Sequence, residues 1–290
     1  MRLRDRNEAC SRRTNTETAA MIRELLRPTF ACFLLLGCAT AHAFAASSEW
    51  VEAGGGAVRL VTASEPDETG RLRAALEIRL DPHWKTYWRD PGETGIPPVI
   101  DITSPAGGAT VEIGFPVPGR FNDGYSTWVG YDHSVSLALT IDIPETTDDE
   151  ALTASVLVGV CDDICIPLQA DLGVELNDHD NMQADTEAVE RAFAALPRAA
   201  DDGFLATPRE VTDARIVVET TVPTQGAVSL FVASNENWVF GTPTPANGSA
   251  PGTFEVPVFV APDTPSTPQA IHYVLVAGDD AVAGTFEIAR

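Results

Sequence analysis

Lysine is almost missing from this chain: of 290 residues only Lys85 is one. Lys and Arg together number 19 against 42 Asp and Glu, a formal net charge of −23. Basic patches therefore cannot be large, and such a charge repels phosphate backbones and anionic lipid, so neither nucleic acid nor a membrane surface is an expected partner. Long apolar runs are scarce too. After residue 45 nothing approaches the roughly 18 uninterrupted apolar residues that a spanning helix needs, and no direct membrane span is expected. The chain has no phosphate-binding glycine loop, no His-Glu metal motif and no nucleophile elbow. His83, His133, His179 and His272 stand isolated, at no zinc-like spacing, so no metal site and no organic cofactor are expected.

What is present begins with a leader. From Met21, the expected true start, a short basic segment (Arg23, Arg27) precedes the apolar run "FACFLLLGCA" and the small residues "ATAHAFAA". That is the layout of a secretory signal peptide cut after Ala43 or Ala45. "LLGC", ending at Cys38, resembles a lipobox, with the Ala-His-Ala site beyond it favouring simple cleavage. Removal of residues 1–43 takes seven of the 19 basic and four of the 42 acidic residues, leaving 12 against 38. It also takes Cys10, Cys32 and Cys38, so the exported protein keeps only Cys161 and Cys165. In an oxidising compartment such as the periplasm these would pair.

Short alternating apolar runs fill the rest. "AVRLVTA", "LRAALEIRL", "ATVEIGFP", "VSLALTIDI" and "LTASVLVGV" in a first block, and "RIVVETTV", "AVSLFVAS", "TFEVPVFVA", "IHYVLVAG" and "AVAGTFEIA" in a second, read as strands between Pro- and Gly-rich turns. A helix from about Thr186 to Leu196, capped by Asp185 and stopped by Pro197, connects them, with Val189, Ala192, Phe193 and Leu196 on one face. The expected organisation is a signal region 1–45, a first β-sandwich 46–177, a linker with a helix 178–202 and a second, smaller β-sandwich 203–290.

In "VGVCDDICIPLQ", Cys161 and Cys165 fall at the tip of a predicted hairpin whose turn is Asp162, Asp163 and Ile164. Opposed α-carbons there, about 5.5 Å apart, are within reach of a disulfide. As a staple the bond closes only five residues and contributes about 2 kcal/mol. An exposed bond on a short loop also suits thiol exchange, and two thiolates could hold Cu(I). Asp162 and Asp163 place negative charge beside the sulfurs, which disfavours thiolate and restrains spontaneous attack; they also simply make a good turn. Exchange, bracing and copper carriage all stay open on these residues.

The segments "HWKTYWRDPGETGIPP" (83–98), "FPVPGRFNDGYSTWVGY" (115–131) and "CDDICIPLQADL", in that order, resemble the periplasmic N-terminal domain of the DsbD and ScsB thiol:disulfide interchange proteins over about residues 50–176. The resemblance implies an immunoglobulin-like fold with a redox cysteine pair on one edge. It implies electrons accepted from a thioredoxin-like domain or a transmembrane thiol reductase and passed to periplasmic disulfide proteins. Cys165 would exchange with partners and Cys161 would resolve the mixed disulfide. The aromatic-rich loop from Asn122 to Trp128, with Asp123 in it, lies where the family keeps a cap, making Tyr125 or Trp128 the shield. Trp84, Tyr87 and Trp88 fall where the family has aromatics near the site. The three-residue gap between the cysteines is closer to the ScsB-like branch. Full-length relatives continue into membrane helices, so a separate membrane reductase is the expected donor. The rival class is a non-catalytic immunoglobulin-like binding module whose disulfide braces a loop.

Overall fold

The computed structural model describes residues 46–289 except 64–67, 106, 123, 144–150, 177–181, 224–225, 247, 249–251 and 263–266. The leader, Cys38 and Asp123 thus lie outside the described residues. The described residues form one compact unit.

The protein is mainly β, an immunoglobulin-like antiparallel sandwich followed by a second sandwich. The largest sheet of the first runs in the order Gly56–Thr62, Arg71–Leu80, Val135–Asp142, Thr110–Gly114, with short strands Ala46–Ser47 and Val51–Ala53 beside the first of these. Its partner layer consists of two smaller sheets. One pairs Val99–Thr103, Ala151–Cys161 and Cys165–Glu175; the other pairs Thr86–Gly92, Thr127–Tyr131 and Gly119–Asn122. An isolated bridge between Lys85 and Cys161 links the two. Alternate residues such as Leu60, Leu76, Leu139, Val158 and Leu172 point between the layers and are buried together, as the two-residue period of a strand dictates.

The helix spans Met182–Ala194. It begins four residues before the expected Thr186, so Asp185 lies inside the first turn, buried, and does not cap the helix from outside. An acid in that turn still favours the positive end of the helix dipole. Ala188, Val189 and Ala192, flanked by Phe193 and Leu196, cover the outer face of the large sheet over Val61, Ala75 and Ala138.

The second sandwich packs Leu205–Val211, Arg215–Thr221 and Thr253–Val260 against Val228–Val232, Gln269–Ala277 and Asp280–Ile288. Strand Val228–Val232 serves two cores by alternation. Leu230 and Val232 face the second, whereas Phe231, with Ala233 and Val274, is buried in the first.

Candidate functional site

The hairpin Ala151–Glu175 keeps an unbroken register from Ala151 opposite Glu175 to Cys161 opposite Cys165. Cys161 and Cys165 are joined by a disulfide, their α-carbons 4.1 Å apart. The expected 5.5 Å belongs to a pair that exchanges backbone hydrogen bonds. Here the Cys161 amide donates to Lys85 O at 2.9 Å and its carbonyl accepts from Lys85 N at 2.8 Å, so its hydrogen bonds point away from Cys165. The pair is of the non-bonded kind, in which side chains come closer. The two residues differ sharply in access: Cys161 is 0% exposed, while Cys165 and the turn residues Asp162, Asp163 and Ile164 are exposed.

Aromatic rings pack beside the buried sulfur. Tyr87, Trp128 and Cys161 form one buried cluster, with Phe121 against it. Trp128 stacks on Phe121 at 4.1 Å between centroids and meets Tyr87 edge-on at 6.0 Å. Lys85 Nζ stands 4.7 Å from the centre of the Trp128 ring, a cation over its negative face. The Tyr87 hydroxyl reaches Cys165 Sγ at 3.5 Å. Two glycines make the slot for that ring. A Cβ on Gly95 would come to 2.5 Å from it, and one on Gly159 to 3.2 Å from it and 2.8 Å from Ile96 Cβ. Thr86 Oγ1 donates to Gly159 O at 2.9 Å, tying the aromatic sheet to the cysteine hairpin.

Several expected positions move. The segment from Asn122 to Trp128 is not one loop but the turn of a hairpin, Gly119–Asn122 with Thr127–Tyr131, and Trp128 sits in its second strand. Trp128 is 5% exposed and turned toward Cys161; Tyr125, at the turn, is 99% exposed, too open for its ring to lie over the sulfurs. Trp88 is also displaced from the site. It follows Tyr87 in an extended strand and so points to the opposite face, where it meets Phe231 edge-on at 6.2 Å. Trp84 is half-buried and its ring covers Gly55, where any Cβ would overlap it. The backbone of Lys85, the ring of Phe121 and the glycine slot had no signature in the sequence. Their roles come from register, which one strand's pattern does not contain. Among the described residues no group of three or more His, Cys, Asp or Glu could hold a metal, and no helix is long and apolar enough to cross a membrane.

Fold and site together define a β-sandwich domain that carries a disulfide at a hairpin tip beside a layer of aromatic rings. Residues 57–175 match the family model of the thiol:disulfide interchange protein DsbD, N-terminal, a match that supports a thiol:disulfide interchange domain in this part of the chain. The crystal structure of the N-terminal periplasmic domain of ScsB from Proteus mirabilis has the same fold, with a TM-score of 0.64 at 20% identity over 84% of this chain and 97% of that one. That likeness extends well beyond residues 57–175. No curated protein matches the chain.

Proposed function

We propose that this protein is a periplasmic thiol:disulfide interchange protein whose Cys161–Cys165 pair carries two electrons from a thioredoxin-like donor, or from a transmembrane thiol reductase, to periplasmic disulfide proteins. The observation that supports this most is the asymmetry of the pair, with Cys165 open to an approaching thiolate and Cys161 enclosed.

A donor thiolate attacks Cys165 Sγ, a donor–Cys165 disulfide forms, and Cys161 leaves as thiolate and takes a proton. The second donor thiolate then attacks its own partner sulfur, closing the donor's disulfide and releasing Cys165. Two electrons and two protons have passed to the pair. In the second half, the Cys165 thiolate attacks a client disulfide, and Cys161 attacks Cys165 Sγ to expel the reduced client and restore the starting bond. The exposed acids Asp162 and Asp163 place negative charge beside the reduced pair and disfavour thiolate, which lowers attack on chance disulfides. Trp128 and Phe121 wall off Cys161.

Titration of the mature protein in glutathione buffers tests this. Conversion of the pair between disulfide and dithiol within the range of periplasmic carriers is the expected result. A bond that stays closed until strong reductant is added would make it a brace and the protein a binding module.

A further inference from the structure

The sheet of Thr86–Gly92, Thr127–Tyr131 and Gly119–Asn122 has two working faces. Tyr87, Trp128 and Phe121 form the one beside Cys161. Their immediate neighbours Trp88, Val129 and Arg120 form the other, with Arg120 opposite Val129 just as Phe121 is opposite Trp128. This second face looks onto the second sandwich.

Specific polar and ring contacts cross that seam beside the apolar packing of Phe231, Ala233 and Val274 into the first core. Arg120 Nη2 donates to Leu230 O at 2.7 Å, and its guanidinium lies 4.7 Å from the centre of the Phe231 ring. Trp88 meets the same Phe231 ring edge-on. The strand Thr86–Gly92 also departs from register: Tyr87 is opposite Gly130 but Gly92 is opposite Trp128, so residues 88–91 bulge outward. The bulge delivers Asp90, whose Oδ2 accepts from Ser234 N at 2.7 Å while Oδ1 accepts from Gly92 N at 3.1 Å. Beside these contacts the seam is open. A cavity of about 580 Å³ separates Trp88, Arg120 and Val129 from Phe240 and Phe259. The sheet is held on this side by the burial of Trp88, Val129 and Tyr131 in one cluster with Phe231, Ala233 and Val274, and beside the cavity by the Arg120 and Asp90 contacts.

We propose that the second β-sandwich is the positioning element of the disulfide site, and that Arg120 is its principal positioning residue. By anchoring the back of the aromatic sheet through Leu230 O and Phe231, it holds Trp128 and Phe121 against Cys161 on the front. Arg120 suits the task because its planar guanidinium can donate to a carbonyl and stack on a ring at once, which lysine cannot do in one geometry. The inference rests on the Cys161–Cys165 pair being the exchanging centre.

The test compares Arg120→Met, Arg120→Lys and, from the other side of the seam, Phe231→Leu in the mature chain. Each variant is fully reduced by strong reductant, then followed by alkylation of each cysteine and by amide hydrogen exchange; the reduced-to-oxidised equilibrium in glutathione is measured separately. Arg120→Met is expected to speed alkylation of Cys161 and exchange in Thr127–Tyr131 by about tenfold, the factor set by losing one hydrogen bond from a charged donor. It should also shift the glutathione equilibrium, with Ala151–Glu175 amides unchanged. Arg120→Lys should recover part of each effect, and Phe231→Leu should reproduce them at smaller size, which keeps the test decisive if Arg120→Met does not fold. Looser amides in Thr127–Tyr131 with unchanged Cys161 alkylation and an unchanged glutathione equilibrium would make the seam merely structural and overturn the proposal. A wild-type pair inert in glutathione overturns the proposed function instead. The alkylation and exchange arms would still report whether the seam sets the ring layer.

Discussion

Two hairpins meet at the disulfide, and they are built on opposite principles. Ala151–Glu175 pairs residue for residue along its whole length and buries one side chain in two. Gly119–Tyr131 has only four paired positions and takes its place from what lies on either side of it. The first is a platform whose geometry is local; the second is held by tertiary contacts. Under the proposed function the exchanging sulfurs sit on the locally paired hairpin, and the hairpin held by tertiary contacts screens the inner one. That division suits a carrier, which needs a fixed sulfur and a yielding guard.

The largest expected effect separates the sulfurs of the platform. Cys165→Ser should abolish exchange with a dithiol donor, whereas in Cys161→Ser the lone Cys165 thiolate should attack an oxidised client disulfide, release one client thiol and hold the client as a stable mixed disulfide, seen as a mass shift under non-reducing conditions. Equal capture by both variants would remove the asymmetry.

Next comes a contrast between glycines. Gly130 lies in the second hairpin, where a Cβ would overlap Thr86 O and come to 2.8 Å from Tyr87 Cα. Gly130→Ala is expected to cost about 2 kcal/mol in a urea melt through overpacking against backbone. Gly173, in the platform opposite Thr153, has nothing within 4 Å of such a Cβ. Gly173→Ala should be neutral or stabilise by about 0.5 kcal/mol.

Trp128→Ala should then speed alkylation of reduced Cys161 several-fold, while Tyr125→Ala leaves it unchanged. The reverse order would mean that the exposed turn closes over the pair in solution. The smallest effect is expected from Tyr87→Phe. It removes a hydroxyl 3.5 Å from Cys165 Sγ and should move the glutathione equilibrium by less than about tenfold, the usual worth of one weak polar contact.

The same contrast governs how far the amino-acid sequence could be read. The platform announces itself: "LTASVLVGV" alternates cleanly, and two cysteines with three residues between them mark its turn. Most long strands of both sandwiches are legible for the same reason. The aromatic sheet is not. Its strand Thr86–Gly92 bulges after Tyr87, its hairpin strands have four and five residues, and glycines interrupt them, so no two-residue period survives. Without that period nothing tells which of Tyr125 and Trp128 turns inward, or that Tyr87 and Trp88 part to opposite faces. The resemblance to a family placed the aromatics near the pair but could not sort their faces. The first turn of the helix, from Met182 to Asp185, is not legible because the apolar stripe of Val189, Ala192, Phe193 and Leu196 by which the helix is recognised starts beyond it.

The central claim is that Cys165 is the sulfur a partner reaches first. Brief alkylation of the reduced mature protein with a limiting maleimide, followed by mass mapping of the cysteine peptide, tests it directly. Labelling at Cys165 at least about tenfold ahead of Cys161 is the predicted result, given that thiol reactivity follows exposure as well as thiolate character. Equal labelling, or Cys161 ahead, would contradict the account.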